Sequence, residues 1–204
     1  MARNAPLLAS ELVGHLRRLD STRRKLEGLF TAGNIKRHDI EQVYVGLYLD
    51  AIVSFERFVE ELFLGYLSGR ILTSAQVHPR VTFASNMVAR DIVLSGKSYV
   101  DWFPYDHTIK RSNAFFRAGM PFTILDKADK NLIDSLMKIR NAMAHKSSHS
   151  IKIFEKDILG SLSLTGKERT PPGYLRSIFR TSPDQTRYEN LIIEMAVIAQ
   201  KLAI

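Results

Sequence analysis

The chain has 204 residues, 45% of them hydrophobic, which is enough for a folded domain with a real core; it has no cysteine, which excludes disulfides, thiolate metal sites and cysteine nucleophiles. Twenty-nine lysines and arginines against 21 acids leave a net charge of +8 and a pI of about 9.8, a balance that points to a polyanionic partner: RNA, DNA, an acidic protein or an anionic membrane surface. The most apolar stretch, 43–67, is broken by Asp50, Glu56, Arg57, Glu60 and Glu61, so no membrane span is expected; no sustained apolar run precedes "ELVGHLRR" to make a signal peptide, and the expected location is cytoplasmic.

Leu8, Leu12, Leu16, Leu19, Leu26 and Phe30 step at three, four and seven, which predicts an amphipathic helix over about 10–30. Arg17, Arg18, Arg23, Arg24 and Lys25 read as its solvated face rather than as a nucleic-acid stripe. Gly33-Asn34 ends it. In the next helix Tyr44, Leu47, Tyr48, Ala51, Ile52, Phe55, Phe58, Val59, Leu62, Phe63 and Tyr66 fill a wide apolar face, and Ser68-Gly69 closes it. So wide a face has to be covered on more than one side, by a bundle around a central helix or by a second subunit as well.

The middle, about 76–125, reads as a long irregular insertion. "QVHPRVTF" is extended because His78 precedes a proline, and "ASNMVARDIVL" is a short helix ending at Gly96. "YVDWFPYDHTIKRSNAFFRAGMPF" mixes aromatic and basic residues. That mixture stacks single-stranded nucleic acid, and it also packs a loop onto a bundle, which is the simpler reading. "DKADKNLIDSLMKIRNAMAH" is a further helix capped by Asp126 or Asp129, with Leu132, Leu136, Ile139 and Met143 in one stripe, and "KSSHS" breaks it after His145. "LTGKERTPPGYL" is a loop. "SPDQ" starts the last helix, with Ser182 as cap, Pro183 at the first position and Gln185 completing a capping box; Leu191 to Leu202 carry it to the end. The expected fold is all-α, one helical domain over 1–204.

The chemistry concentrates in "MKIRNAMAHKSS", 137–148. "RNAMAH" is an arginine, four residues and a histidine, with asparagine directly after the arginine. It resembles the Rx4H motif of HEPN domains. The preceding helix with "AIVSFERFVEELF", the motif near the end of a later helix, and a final helix after a loop make the layout most like the RiboL-PSP-HEPN branch. The resemblance implies a HEPN-like helical bundle that forms a homodimer. In it two copies of the motif would face each other across a cleft and cleave single-stranded RNA without metal or cofactor, in toxin-antitoxin, defence or RNA-processing settings. Arg140, Asn141 and His145 would be the catalytic residues, Lys138 and Lys146 RNA contacts, and RNA and an antitoxin or neighbouring-gene protein the partners. Some family members have lost activity and only bind. Ser147 stands where some HEPN toxins carry a tyrosine that a nucleotidyltransferase antitoxin modifies, so that regulation is not expected here.

Physical chemistry fits this expectation. RNA carries its own nucleophile, the 2′-hydroxyl; cleavage needs a base for its proton, an acid for the leaving 5′-oxygen and positive charge on the phosphate. Histidine exchanges protons at neutral pH, and the planar arginine fork matches phosphate oxygens. One histidine per chain does not easily act as both acid and base, and a second copy would solve that. Positions 140 and 145 lie about 140° apart on an ideal helix, so both line one cleft only if it is broad or the helix is distorted near His145. Asn141 and His145 share a face, where Asn141 could orient the imidazole or touch the phosphate. The structural alternative is a surface ion pair at Arg140 and a histidine favoured by the helix dipole at 145. His145 and His149 have the spacing of two metal ligands, but no third ligand is evident, so no metal site is expected. Glu56, Glu60 and Glu61 read as solvated or ion-paired.

Overall fold

The computed structural model describes residues 4–204 and is all-α. Its helices are α1 (Ala5–Thr31), α2 (Arg37–Leu67), α3 (Asn86–Leu94), α4 (Tyr105–Phe115), α5 (Lys127–His145), α6 (Ser148–Ile153), α7 (Pro171–Arg176) and α8 (Arg187–Leu202). Among the described residues the sheet is one antiparallel pair, β1 (Ile178–Thr181) and β2 (Asp184–Thr186), and no helix is long and apolar enough to cross a membrane. The chain divides into two compact units. The first holds the chain up to Val13, Ser54–Asp134 and Ala196–Ile204, and the second Gly14–Val53 and Ser135–Met195.

Helix ends follow local hydrogen bonding. Asn4 Oδ1 accepts from Leu7 N at 2.8 Å, so α1 starts at Ala5, before the expected start at about residue 10. Asp126 and Asp129 cap α5 reciprocally, Asp129 N donating to Asp126 Oδ1 at 2.9 Å and Asp126 N to Asp129 Oδ2 at 3.2 Å. Three expectations need correction. The 76–125 segment contains α4 as well as α3; the buried face of α4 is Tyr105, Thr108 and Ser112, too polar to read as a stripe, and it is satisfied internally, with Thr108 Oγ1 donating to Trp102 O at 2.6 Å. "LTGKERTPPGYL" holds a 3₁₀ turn and α7, each begun by a threonine cap, Thr165 and Thr170. "SPDQ" is not a helix start: Ser182 and Pro183 turn the β1–β2 hairpin, and Gln185 is in β2 opposite Arg180. The cap of α8 is Thr186, whose Oγ1 accepts from Glu189 N at 3.2 Å while Glu189 Oε2 accepts from Thr186 N at 2.8 Å.

In the first unit the aromatic–basic stretch sends Trp102, Phe103, Tyr105, Phe116 and Phe122 into the core, while Tyr99, His107 and Lys110 stay exposed. Phe63 of α2 has the rings of Trp102, Phe116 and Phe122 each at 5.0 Å, and Phe55 stacks on Phe103 at 5.7 Å. Each such pair contributes about 0.5–1.5 kcal/mol beyond its buried area. Trp102 Nε1 donates to Glu60 Oε2 at 2.8 Å, which satisfies the one polar atom of a buried indole. Glu61 pairs with Arg57 at 2.7 Å.

In the second unit the expectation of a solvated basic face on α1 fails at Arg23, which is 4% exposed; Arg17, Arg18, Arg24 and Lys25 are exposed. Arg23 Nε meets Asp20 at 2.8 Å, its Nη2 meets Glu189 at 2.8 Å, and Nη1 donates to Tyr44 Oη at 3.3 Å. Arg176 grips Glu27 with two bonds of 2.8 and 3.1 Å and lies 4.5 Å from the centre of the Phe30 ring. Tyr44 meets Tyr188 edge-on at 5.5 Å, and Tyr48 Oη donates to Leu136 O at 3.0 Å. Tyr44, Tyr48, Ala51, Ile52, Phe55, Phe58, Val59, Leu62, Phe63 and Tyr66 are buried within the single chain and Leu47 is half-buried, so the width of the α2 face gives little reason for a second subunit.

Replacing Phe63 by alanine should cost about 3–5 kcal/mol, read as a lower urea midpoint. Burial alone would raise the Glu27 carboxyl, but the hydrogen bond and charge of Arg176, with Tyr44 and Arg23, hold it below its ordinary value. A lowered folded value contributes stability that is present above the unfolded carboxylate range and is lost as pH falls through the folded value. The stability gap between wild type and Glu27→Gln, measured by urea unfolding, should therefore be wider at pH 7 than at about pH 3.

Candidate functional site

The candidate site sits at the C-terminal end of α5, in the second unit. Leu136, Ile139, Ala142 and Met143 are buried and anchor this half of the helix, so the positions between them, including Arg140, Asn141 and His145, turn outward. The helix stops at His145 for local reasons. Lys146 takes a left-handed backbone (φ 48°), and Ser147 is extended and accepts from Ser150 N at 3.2 Å, which starts α6. One turn of π-helix, Phe154–Leu159, continues α6.

Arg140 and His145 meet directly: Nη1 of Arg140 lies 3.1 Å from Nε2 of His145. The same Nη1 donates to Asn141 Oδ1 at 3.0 Å. Neither a broad cleft nor a distorted helix is needed; the long arginine side chain spans the five positions along a regular α-helix. Asn141 holds the guanidinium, not the imidazole. A guanidinium has no acceptor atom, so Nε2 must be the acceptor in this contact; the ring is neutral in it and carries its proton on Nδ1. His145 is exposed and Arg140 and Asn141 are half-buried, so the cluster is open to solvent.

The electrostatics separate Arg140 from its neighbours. Its two partners are neutral, so it is not the surface ion pair of the structural alternative. Lys138 pairs with Asp157 at 2.8 Å and holds that carboxyl below its ordinary range, so its charge is engaged within the chain. Lys146 is exposed beside His145. His149 lies on α6, beyond the left-handed residue, and so does not share a helix face with His145. The result is an uncompensated planar cation touching an exposed imidazole. Such a pair can bind an oxyanion and exchange a proton next to it. Sequence reasoning missed the direct contact between the two groups, because spacing encodes backbone angle and not the reach of a side chain.

Compared with protein-family models, with curated proteins and with solved structures, the chain matches none.

The contact makes a spectroscopic prediction. At about pH 8.5, above the usual histidine range, the ¹⁵N shifts of His145 should show Nδ1 protonated and Nε2 bare; Arg140→Ala should relax the ring toward the ordinary tautomer mixture.

Proposed function

We propose that this chain is a HEPN-type endoribonuclease that cleaves single-stranded RNA without a metal ion. The observation that carries the reading is the Arg140 guanidinium, whose partners among the described residues are the neutral Asn141 and His145 at 3.0 and 3.1 Å. The arginine neutralises charge on the scissile phosphate as it builds up. The imidazole, once Nη1 releases Nε2, takes the proton of the 2′-hydroxyl. The 2′-oxygen forms its bond to phosphorus, the bond from phosphorus to the 5′-oxygen breaks, and that oxygen needs a proton. A second copy of the chain would bring its own imidazole by two-fold symmetry; released from its arginine and protonated from solvent, that imidazolium would donate the proton to the 5′-oxygen. The products are a 2′,3′-cyclic phosphate and a 5′-hydroxyl. Asn141 positions the guanidinium, and Lys146 lies beside the imidazole where a strand would pass. The residues at the site are cationic or neutral, a donor set that suits an anion and not a divalent cation.

A second reading, an RNA-binding module that does not cut, is supported by one observation. The apolar face of α2 is covered within the chain, which leaves the single imidazole as the main reason to require a second copy.

Purified protein incubated with labelled single-stranded RNA in EDTA tests the choice. Cleavage should give cyclic phosphate ends and fall by about 10²- to 10⁴-fold in His145→Ala with the melting curve unchanged. A 3′-hydroxyl product, or activity that EDTA abolishes and Mg²⁺ restores, would overturn the mechanism; retained binding without cleavage on several RNAs selects the second reading. Sedimentation at micromolar concentration tests the composite site, which a fully active monomer would rule out.

A further inference from the structure

A separate cluster of cations lies in the first unit. On α4, His107, Lys110 and Arg111 occupy positions i, i+3 and i+4, one face of a helix. They share a cleft of about 430 Å³ with Lys97, Asp101 and Phe115. That volume is in the range of small-molecule sites, roughly 300–1,000 Å³. Three permanent cations and an imidazole face a single carboxylate there. In the second unit, by contrast, a cleft lined by Arg17, Arg24 and Arg180 also holds Asp20, Asp184 and Glu189, so its cations face as many carboxylates, and Arg24 is already bonded to Asp20 and Glu189 at 2.8 Å.

Arg111 is held in place. Its Nη1 donates to the backbone carbonyl of Asp101, and its guanidinium lies 5.5 Å from the ring centre of Trp102, which is itself buried. Its partners are a carbonyl and a ring face, and burial lowers its tendency to hold the proton more than nearby Asp101 restores it. An anion in the cleft would supply the missing compensation without reorganising the side chain. Lys97 and Lys110 are exposed and free to converge on a doubly charged group. Phe115 is half-buried, its inner contact an edge-to-face packing on Phe63 at 6.0 Å, and it leaves apolar ring surface at the cleft.

We propose that this cleft binds a mononucleotide, with the phosphate against Lys97, Lys110 and Arg111 and the base against the ring of Phe115. The fit rests on three matched features: excess positive charge for a dianion, room beyond the needs of inorganic phosphate, and half-buried aromatic surface of Phe115 beside the cations.

Titration calorimetry of the whole protein with AMP, inorganic phosphate and adenosine tests the assignment. AMP should saturate one site and bind about tenfold or more tightly than either fragment, since each fragment makes only half of the contacts. Lys97→Glu and Lys110→Glu, both at exposed positions, should each weaken AMP by about tenfold or more and leave the circular dichroism melt unchanged. No saturable AMP binding, equal binding of phosphate alone, or affinity untouched by both charge reversals would overturn the proposal. So would displacement of bound AMP from a site that neither reversal alters, or binding of an RNA oligonucleotide to the cleft where AMP fails. None of these readouts involves RNA cleavage, so they stand or fall apart from the role of His145.

Discussion

Helix α2 sets the main constraint on this fold. Its 31 residues carry large apolar side chains over most of the circumference, and such a helix has no stable existence until something surrounds it. The chain meets that demand with two chemistries. In the first unit the cover is aromatic: Trp102, Phe103, Phe116 and Phe122 close on Phe55 and Phe63. In the second unit tyrosines dominate, and their hydroxyls bring polar atoms inward. Tyr44 then needs a buried donor, Arg23 provides one, and Arg23 in turn needs Asp20 and Glu189. Burying one hydroxyl thus propagates into a charged network, because a polar group taken from water costs free energy unless another meets it; the buried Tyr188 hydroxyl beside Tyr44 is the exception, with no hydrogen-bond partner among the described residues.

Much of the helical architecture was legible. The apolar periodicities of α1, α2, α5 and α8 are long and regular, the Asp126 cap follows from residue chemistry, and α3 ends just before Gly96, with Ser95 as its left-handed cap. What escaped was polar matter in buried places. Arg23 falls in the α1 stripe between Leu19 and Leu26, a slot that periodicity assigns to the interior, yet a charged residue invites assignment to the surface. The spacing was the better guide. Helix α4 hides for the same reason, since Thr108 and Ser112 are buried with their hydroxyls bonded to backbone carbonyls and break no physical rule. The hairpin at 178–186 was misread because a cap-like Ser-Pro pair followed by Asp and Gln also makes a good turn, and only the partner strand decides between them.

At the candidate site the residue types and their order were legible, and the organisation was not. The reversal at Lys146 that separates His145 from His149 depends on one backbone dihedral. The engagement of Lys138 depends on Asp157, beyond the break after His145 and the change from α- to π-helix. The bridging of Asn141 and His145 by a single guanidinium nitrogen depends on rotamers. Each of these facts sits below the resolution of a periodicity argument.

The sharing of one nitrogen has a consequence for how the pair behaves at rest. With Nη1 occupied by the asparagine oxygen and the ring lone pair, the Nε and Nη2 edge of Arg140 is the side an oxyanion would meet among the described residues. An anion that docks on that edge alone leaves the lone pair of His145 covered, and the ring stays idle. Only an encounter strong enough, or angled so as to draw the whole guanidinium over, uncovers the basic nitrogen. On the proposed reading, occupancy of the arginine and activation of the imidazole would then be distinct events at one side chain.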